Sequence, residues 1–266
     1  MNEIEMERRR RQAAGEEAGE GTDGGPGARR KGLSVFRLKV IGALFMALSV
    51  ASTTLVPLLF GAPTADNMTG LTAAVVCEVA SWCAVPIYAW LLVNGRRHTR
   101  SVAWYALRLV ALAVVCEPLY ARLMTGHWFD AGTHNPVWGL VFALVVLLAV
   151  EWIRDHASGV ARVLGILAVV AAGVLWNLLL RVGVSQQIMY TGVLTLAFVL
   201  VFTFLAPHEN TMMFTAGLLG AVMCITPGVG VAFLHYRNER LGYGRPWAQW
   251  VFYALYPAML LAGCLV

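Results

Sequence analysis

Charge is what this chain has least of, and its scarcity is uneven. Only 13% of the 266 residues are charged, against 59% hydrophobic, and the mean hydropathy is +0.67. Nine of the 20 Lys and Arg residues and seven of the 15 Asp and Glu residues fall within positions 1–39. The remaining 227 residues carry 11 basic and 8 acidic side chains between them. A soluble core of this size does not need so much apolar sequence, so the bulk of the chain is expected to face lipid. Metal-site and disulfide patterns are also missing. The five cysteines, Cys77, Cys83, Cys116, Cys224 and Cys264, are odd in number, lie in apolar stretches and form no C-x-x-C. That argues against a disulfide framework or a zinc site, and no metal is expected. The Arg8–Arg11 run has no nucleic-acid-binding fold signature around it, so no nucleic-acid partner is expected. The first apolar run begins near residue 38 behind a long mixed-charge tail, which does not read as a cleavable signal peptide.

What is present is a series of apolar segments. Residues 1–36 are read as a disordered, charged, cytoplasmic tail, rich in Glu, Arg and Gly. Residues 37–266 are read as an all-α, polytopic transmembrane bundle of about eight spans in the cell membrane. The spans are placed near 38–60, 70–93, 102–123, 137–153, 160–180, 185–206, 211–235 and 248–265. Basic residues alternate as an inside N-terminus requires: Arg96, Arg97 and Arg100 in the second loop, Arg154 and Arg162 in the fourth, none in the first or third. Eight full spans put Arg237, Arg240 and Arg245 outside, against the rule. A break at Pro227-Gly228-Val229-Gly230 would turn 211–235 into a re-entrant element and leave that loop inside. Eight spans are the favoured expectation.

An ionisable side chain at a helix centre costs roughly 2.5–3.5 kcal/mol on insertion scales. Glu78, Arg108 and Glu117 therefore ask for a reason, whereas Glu151 and Arg181 sit near span ends, where snorkelling suffices. Counting helical rise puts Glu78 about 12 Å and Glu117 about 9 Å below the same outer surface. If both face the bundle interior they form an acidic pair that shares a proton and suits general acid–base work. Alternatively, each charge locks two helices together. Arg108 is out of phase with Glu117 and is expected near Asn94-Gly95, where an anionic ligand is one conceivable partner. The outer loop from Gly126 to Pro136 is the most polar stretch between spans. Its Trp128 and Phe129 suit interfacial anchoring, and His127, Asp130, His134 and Asn135 could line a shared cavity.

Several short motifs recur in a telling order. Lys39-Val40-Ile41 and Met46 open the first span. Pro86-Ile87-Tyr88-Ala89-Trp90-Leu91-Leu92 leads to Gly95 and Thr99. Tyr105, Arg108 and Leu109 precede Cys116-Glu117, and Trp128, Phe129 and Asn135 follow. Tyr190 with Gly192, Gly242 with Arg245, Phe252-Tyr253 and Tyr256-Pro257 close the series. Together these resemble the TraX family of integral membrane proteins, over most of 38–266. The resemblance implies acetylation of the N-terminus of a conjugative pilin or another exported protein, with acetyl-CoA as donor. The family's first-helix Asp-His pair is Ser49-Val50 here, and its Tyr-Pro-x-His ending has Met259 for the histidine. Acid–base work would then fall on Glu117, on Glu78 or on a loop histidine, with Glu117 and Arg108 the catalytic candidates. Glu78, Trp128, Asp130, Asn135 and Tyr256 are the expected substrate contacts. Two other readings stand beside the enzyme: a non-catalytic membrane partner in pilus or fimbria assembly, and a small-solute transporter.

Overall fold

Ser34 begins the membrane-embedded part of the chain, its hydroxyl accepting the Arg37 amide at 3.3 Å as a helix N-cap. The computed structural model describes residues 32–185, 189–238, 240–242 and 247–265, so the charged tail (1–31) and Arg245 lie outside the described residues. Eleven helices follow in the described chain: α1 Val35–Thr53, α2 Leu55–Phe60, α3 Met68–Ser81, α4 Ala84–His98, α5 Val102–Thr125, α6 Val137–His156, α7 Gly159–Leu179, α8 Thr191–Phe204, α9 Glu209–Met223, α10 Ile225–His235 and α11 Ala248–Leu265. A minimal antiparallel pairing of β1 (Val184–Ser185) with β2 (Met189–Tyr190) precedes α8.

Five helical segments are long and apolar enough to cross a membrane: Val35–Thr53, Met68–His98, Val102–Thr125, Val137–His156 and Gly159–Leu179. Beyond these, Thr191–Phe204, Ile225–His235 and Trp250–Leu265 are shorter apolar helices, so five of the eight expected spans have full-length helices. Ser185, Met189 and Tyr190, assigned to a span, lie in the short strand pair instead, and α8 is only 14 residues long. The first span breaks at Thr54, where the hydroxyls of Thr53 and Thr54 both donate to the Val50 carbonyl, at 2.9 and 2.8 Å. Such local bonds compete with the helical ladder and bend it. The second span tightens at Trp82–Cys83 because Pro86, lacking an N–H, cannot bond the Trp82 carbonyl, which accepts from Val85 at 3.1 Å instead.

The largest departure is at 211–235. Cys224 is fully extended (φ −172°, ψ 147°), and α9 and α10 fold back on one another. In an unbroken helix Gly220 and Gly228 would stand about 12 Å apart. Here a methyl group added at Gly220 would lie 2.5 Å from the Gly228 amide nitrogen, so only glycine permits this approach. The two ends of the hairpin meet: Arg237 Nη2 lies 3.0 Å from Glu209 Oε1. Its tip lies at mid-depth, where the Cys83 thiol donates to the Thr226 carbonyl at 3.0 Å. The segment is a helical hairpin rather than one continuous helix, broken at Cys224.

One face of the bundle collects the start of α1 and the chain after the hairpin. Leu33 N donates to Tyr236 O (2.7 Å), Val35 N to Arg240 O (2.8 Å) and Phe36 N to Leu241 O (3.0 Å). Residues 33–36, read as tail, thus belong to the bundle. Arg96–Glu151 (2.7 Å) and Arg154 over the Phe204 ring bring the ends of α4, α6 and α8 to the same face. The C-terminal end of α11 lies at the other face, with Cys264 Sγ on the Leu119 carbonyl. Arg96, Arg97, Arg100, Arg154, Arg162, Arg237 and Arg240 gather on the N-terminal face, against Arg122 and Arg181 opposite. The hairpin removes the conflict with the positive-inside rule. A reporter fused after Leu241 should read the same side as the N-terminus, and one fused after Leu265 the other side. Opposite reporting by the first fusion would refute the hairpin.

Candidate functional site

Glu78 is 2% exposed, on the face of α3 that packs on α1. Its Oε2 accepts from the hydroxyls of Ser49 and Ser52, each at 3.1 Å, and its Oε1 from Trp82 Nε1 at 3.3 Å. The spacing explains the arrangement. Ser49 and Ser52 are three residues apart on one stripe of α1, and Trp82 is four residues after Glu78 on its own helix. The Ser52 hydroxyl is shared with the Ser49 carbonyl at 2.7 Å, which fixes its rotamer.

Glu117 serves a different structure. Its Oε1 accepts from His134 Nδ1, and its Oε2 from Trp138 Nε1 (3.0 Å), the Asn135 amide (3.2 Å) and Asn135 Nδ2. Asn135, wholly buried, also donates to the Ala113 carbonyl (2.9 Å) and accepts from Val137 N (3.0 Å). Glu117 and Asn135 thus clamp the 126–136 loop onto α5 and start α6. The expected acidic pair does not form as a unit: the two carboxylates have separate donors and no bond to each other, although Tyr120 is within electrostatic reach of both. Depth alone placed them together; each helix's rotation separates them.

The central cavity, of about 490 Å³, is walled by α1, α3, α4, α5, α6, α8 and α11. At its mid-depth stand Ser49, Glu78, Tyr88, Tyr120, Tyr256 and Met259. Among the described residues, the hydroxyls of Tyr88, Tyr120 and Tyr256 make no hydrogen bond, so they are left to a ligand. Nearer the N-terminal face the wall carries Lys39, His98 and Arg108. Arg108 donates through Nε to the Trp104 carbonyl (3.2 Å) and lies 5.6 Å from the Trp250 ring centre, and Asn94 and Gly95 line the same cavity. No protein-family model, curated protein or solved structure matches the chain.

Of the residues singled out in the sequence, the cavity brings together Glu78, Arg108 and Tyr256. Glu117 and Asn135 hold the loop. Trp128 (52% exposed) lies under the Arg122 guanidinium at 5.7 Å, and Phe129 is 85% exposed. Asp130 accepts from Gly132 N (2.9 Å) and Thr133 Oγ1 (3.2 Å), shaping a turn away from the cavity wall. Sequence reasoning missed Ser52, Trp82, Tyr88 and Tyr120. The available signal was the Ser49-x-x-Ser52 spacing, which marks a polar stripe on an otherwise apolar helix.

Chemically, the cavity offers a buried carboxylate that can hold a proton, hydroxyl donors beside it, and cations at one end. Among the described residues no group of three or more His, Cys, Asp and Glu side chains is placed to hold a metal ion. Removing the Glu117 carboxylate strands His134, Asn135 and Trp138 donors, each worth about 1–3 kcal/mol when left buried and unpaired. Glu117→Ala should therefore lower stability in detergent by at least roughly 3 kcal/mol in total, while Asp130→Ala should change it little. Equal stability of the two variants would rule out the clamp.

Proposed function

We propose that this chain is a TraX-like membrane acyltransferase working in the central cavity, on the primary amine of a pilin or another exported protein. One observation carries the reading. Ser49, Val50 and Met259, where the TraX resemblance has its Asp-His pair and second histidine, all line one cavity, and Glu78 lines it too. A carboxylate from α3 stands where the first helix lacks its acid–base group.

Acetyl-CoA, the donor that the resemblance implies, would supply the thioester carbonyl. The residues present suit it: Lys39, His98 and Arg108 are cationic or proton-accepting groups for phosphates, and Leu91, Leu92 and Leu109 line an apolar passage beyond them. Glu78 takes the proton that the attacking amine loses. The Tyr120 and Tyr256 hydroxyls donate to a carbonyl oxygen as it gains negative charge. The C–N bond forms, the C–S bond breaks, and Glu78 returns that proton to the departing thiolate. The N-terminal face, where the arginines collect, is the cytoplasmic one.

A second reading keeps the fold without the chemistry. Val50 and Met259 leave no imidazole at the middle of the cavity, which favours a non-catalytic partner in pilus or fimbria assembly. Intact-mass spectrometry of surface proteins separates the two. The acyltransferase predicts that deleting the gene removes about 42 Da, one acetyl group, from a target N-terminus. Glu78→Gln should lose the same mark at wild-type protein levels in the membrane. Unchanged masses with the chain expressed would leave the partner reading.

A further inference from the structure

Away from the central cavity, the ends of α4, α6 and α8 meet at the face where the arginines collect. Arg96 Nη2 on α4 lies 2.7 Å from Glu151 Oε2 on α6. Its neighbour Arg97 donates through Nη2 to the Phe202 carbonyl of α8 at 3.4 Å. From α6, the Arg154 guanidinium lies 5.1 Å from the centre of the Phe204 ring. Arg97 and Arg154 thus come to the same last turn of α8 from two different helices. Neither lines the central cavity.

Counter-charge is short at this place. Glu151 is taken by Arg96, and Glu209, at the start of α9, by Arg237. Asp155 follows Arg154 in sequence but is turned roughly 100° from it on the helix. Among the described residues Arg97, Arg154 and Asp155 form no ion pair, and the Arg154 guanidinium donates no hydrogen bond. Below the two arginines, toward the membrane interior, the surface is apolar. Phe204, Leu200, Ala197 and Val193 follow one another at four- and three-residue spacing on α8. Each is at least part-exposed, Phe204 at 36%. The stripe runs roughly 16 Å along the helix. A pair of cations above an uncovered apolar stripe matches an amphiphile with an anionic head and an acyl tail. A free phosphate would use the first feature and leave the second bare.

We propose that Arg97 and Arg154 hold the phosphate of an anionic phospholipid from the leaflet at the N-terminal face. One acyl chain lies along Phe204, Leu200, Ala197 and Val193. A guanidinium offers a phosphate two parallel N–H bonds, which an ammonium cannot. The Phe202 carbonyl and the Phe204 ring already hold the two side chains at the helix end. Less side-chain freedom is therefore lost when the headgroup arrives. A zwitterionic headgroup brings its own cation to a place that has cations in excess, and gains less. The bound lipid also ties the ends of α4, α6 and α8 together, because its phosphate bridges arginines from α4 and α6 while its tail lies on α8.

The test is native mass spectrometry of the full chain in neutral detergent, titrated with dioleoylphosphatidylglycerol or dioleoylphosphatidylcholine. The chain should retain phosphatidylglycerol at least about tenfold more tightly than phosphatidylcholine. Arg154→Gln should weaken phosphatidylglycerol by at least about tenfold, while Arg100→Gln and Arg162→Gln leave it within about twofold. Arg154→Gln is the deciding variant because it breaks no hydrogen bond within the protein, whereas Arg97→Gln also uncaps α8. Equal retention of the two lipids would mean ordinary solvating lipid and overturn the site. Equal weakening by all three glutamine variants would assign the binding to the diffuse charge of the face and overturn it as well. Glycerol 3-phosphate that displaced phosphatidylglycerol at equal concentration would make this a site for soluble phosphates and overturn the lipid. The acyltransferase reading stands or falls separately, since neither arginine takes part in it.

Discussion

The lipid interior holds no water to satisfy a polar group, so each backbone break and each buried charge in this bundle must find its partners inside the protein. At Thr54 the threonine hydroxyls take up the Val50 carbonyl. At Trp82–Cys83 the carbonyl that Pro86 cannot serve turns to Val85. At Cys224 the chain leaves its helix altogether, and the tip of the hairpin is docked on the Cys83 turn. Gly230 packs against the Cys83 carbonyl so closely that an added methyl would lie 2.3 Å from that oxygen. Two irregular pieces of backbone therefore occupy the same depth and cover each other, which is how such pieces are tolerated within a membrane.

Much of this was legible in the sequence where the signal is local. The apolar runs locate α5, α6 and α7 within a few residues, since length and hydropathy are read off one segment at a time. The hairpin was not, because 211–235 is as long and apolar as a true span. What folds it is the approach of Gly220 to Gly228 and the pairing of Glu209 with Arg237, contacts whose partners no hydropathy window compares. The arginines after it did carry the information. Their conflict with an eight-span count pointed to a break in 211–235, and the chain does break there, at Cys224.

Depth was likewise legible and direction was not. Helical rise correctly places Glu78 and Glu117 well inside, but a rotation of half a turn decides whether a side chain meets a neighbouring helix or a loop. Glu117 turned toward the 134–138 backbone and became an anchor. Glu78 turned toward the serines of α1 and the open cavity. Two carboxylates at similar depth thus differ in consequence because Glu78 lines the open cavity and Glu117 does not.

Ser49 reads differently once Glu78 is in view. Taken alone, a serine where the TraX resemblance has aspartate is a loss. Its Oγ, however, stands 3.1 Å from Glu78 Oε2. An aspartate at that position would set two carboxylates side by side away from water, where like charges cannot both ionise without a large penalty. A donor at 49 is what a carboxylate at 78 requires, so the two residues form one arrangement. Val50 follows the same logic. With the acid on α3 already fixed by two hydroxyls and the Trp82 indole, an imidazole at position 50 has no carboxylate of its own helix to orient it. Under the proposed acyltransferase function the acid–base group would stand on α3 rather than on α1, beside the serine–valine pair.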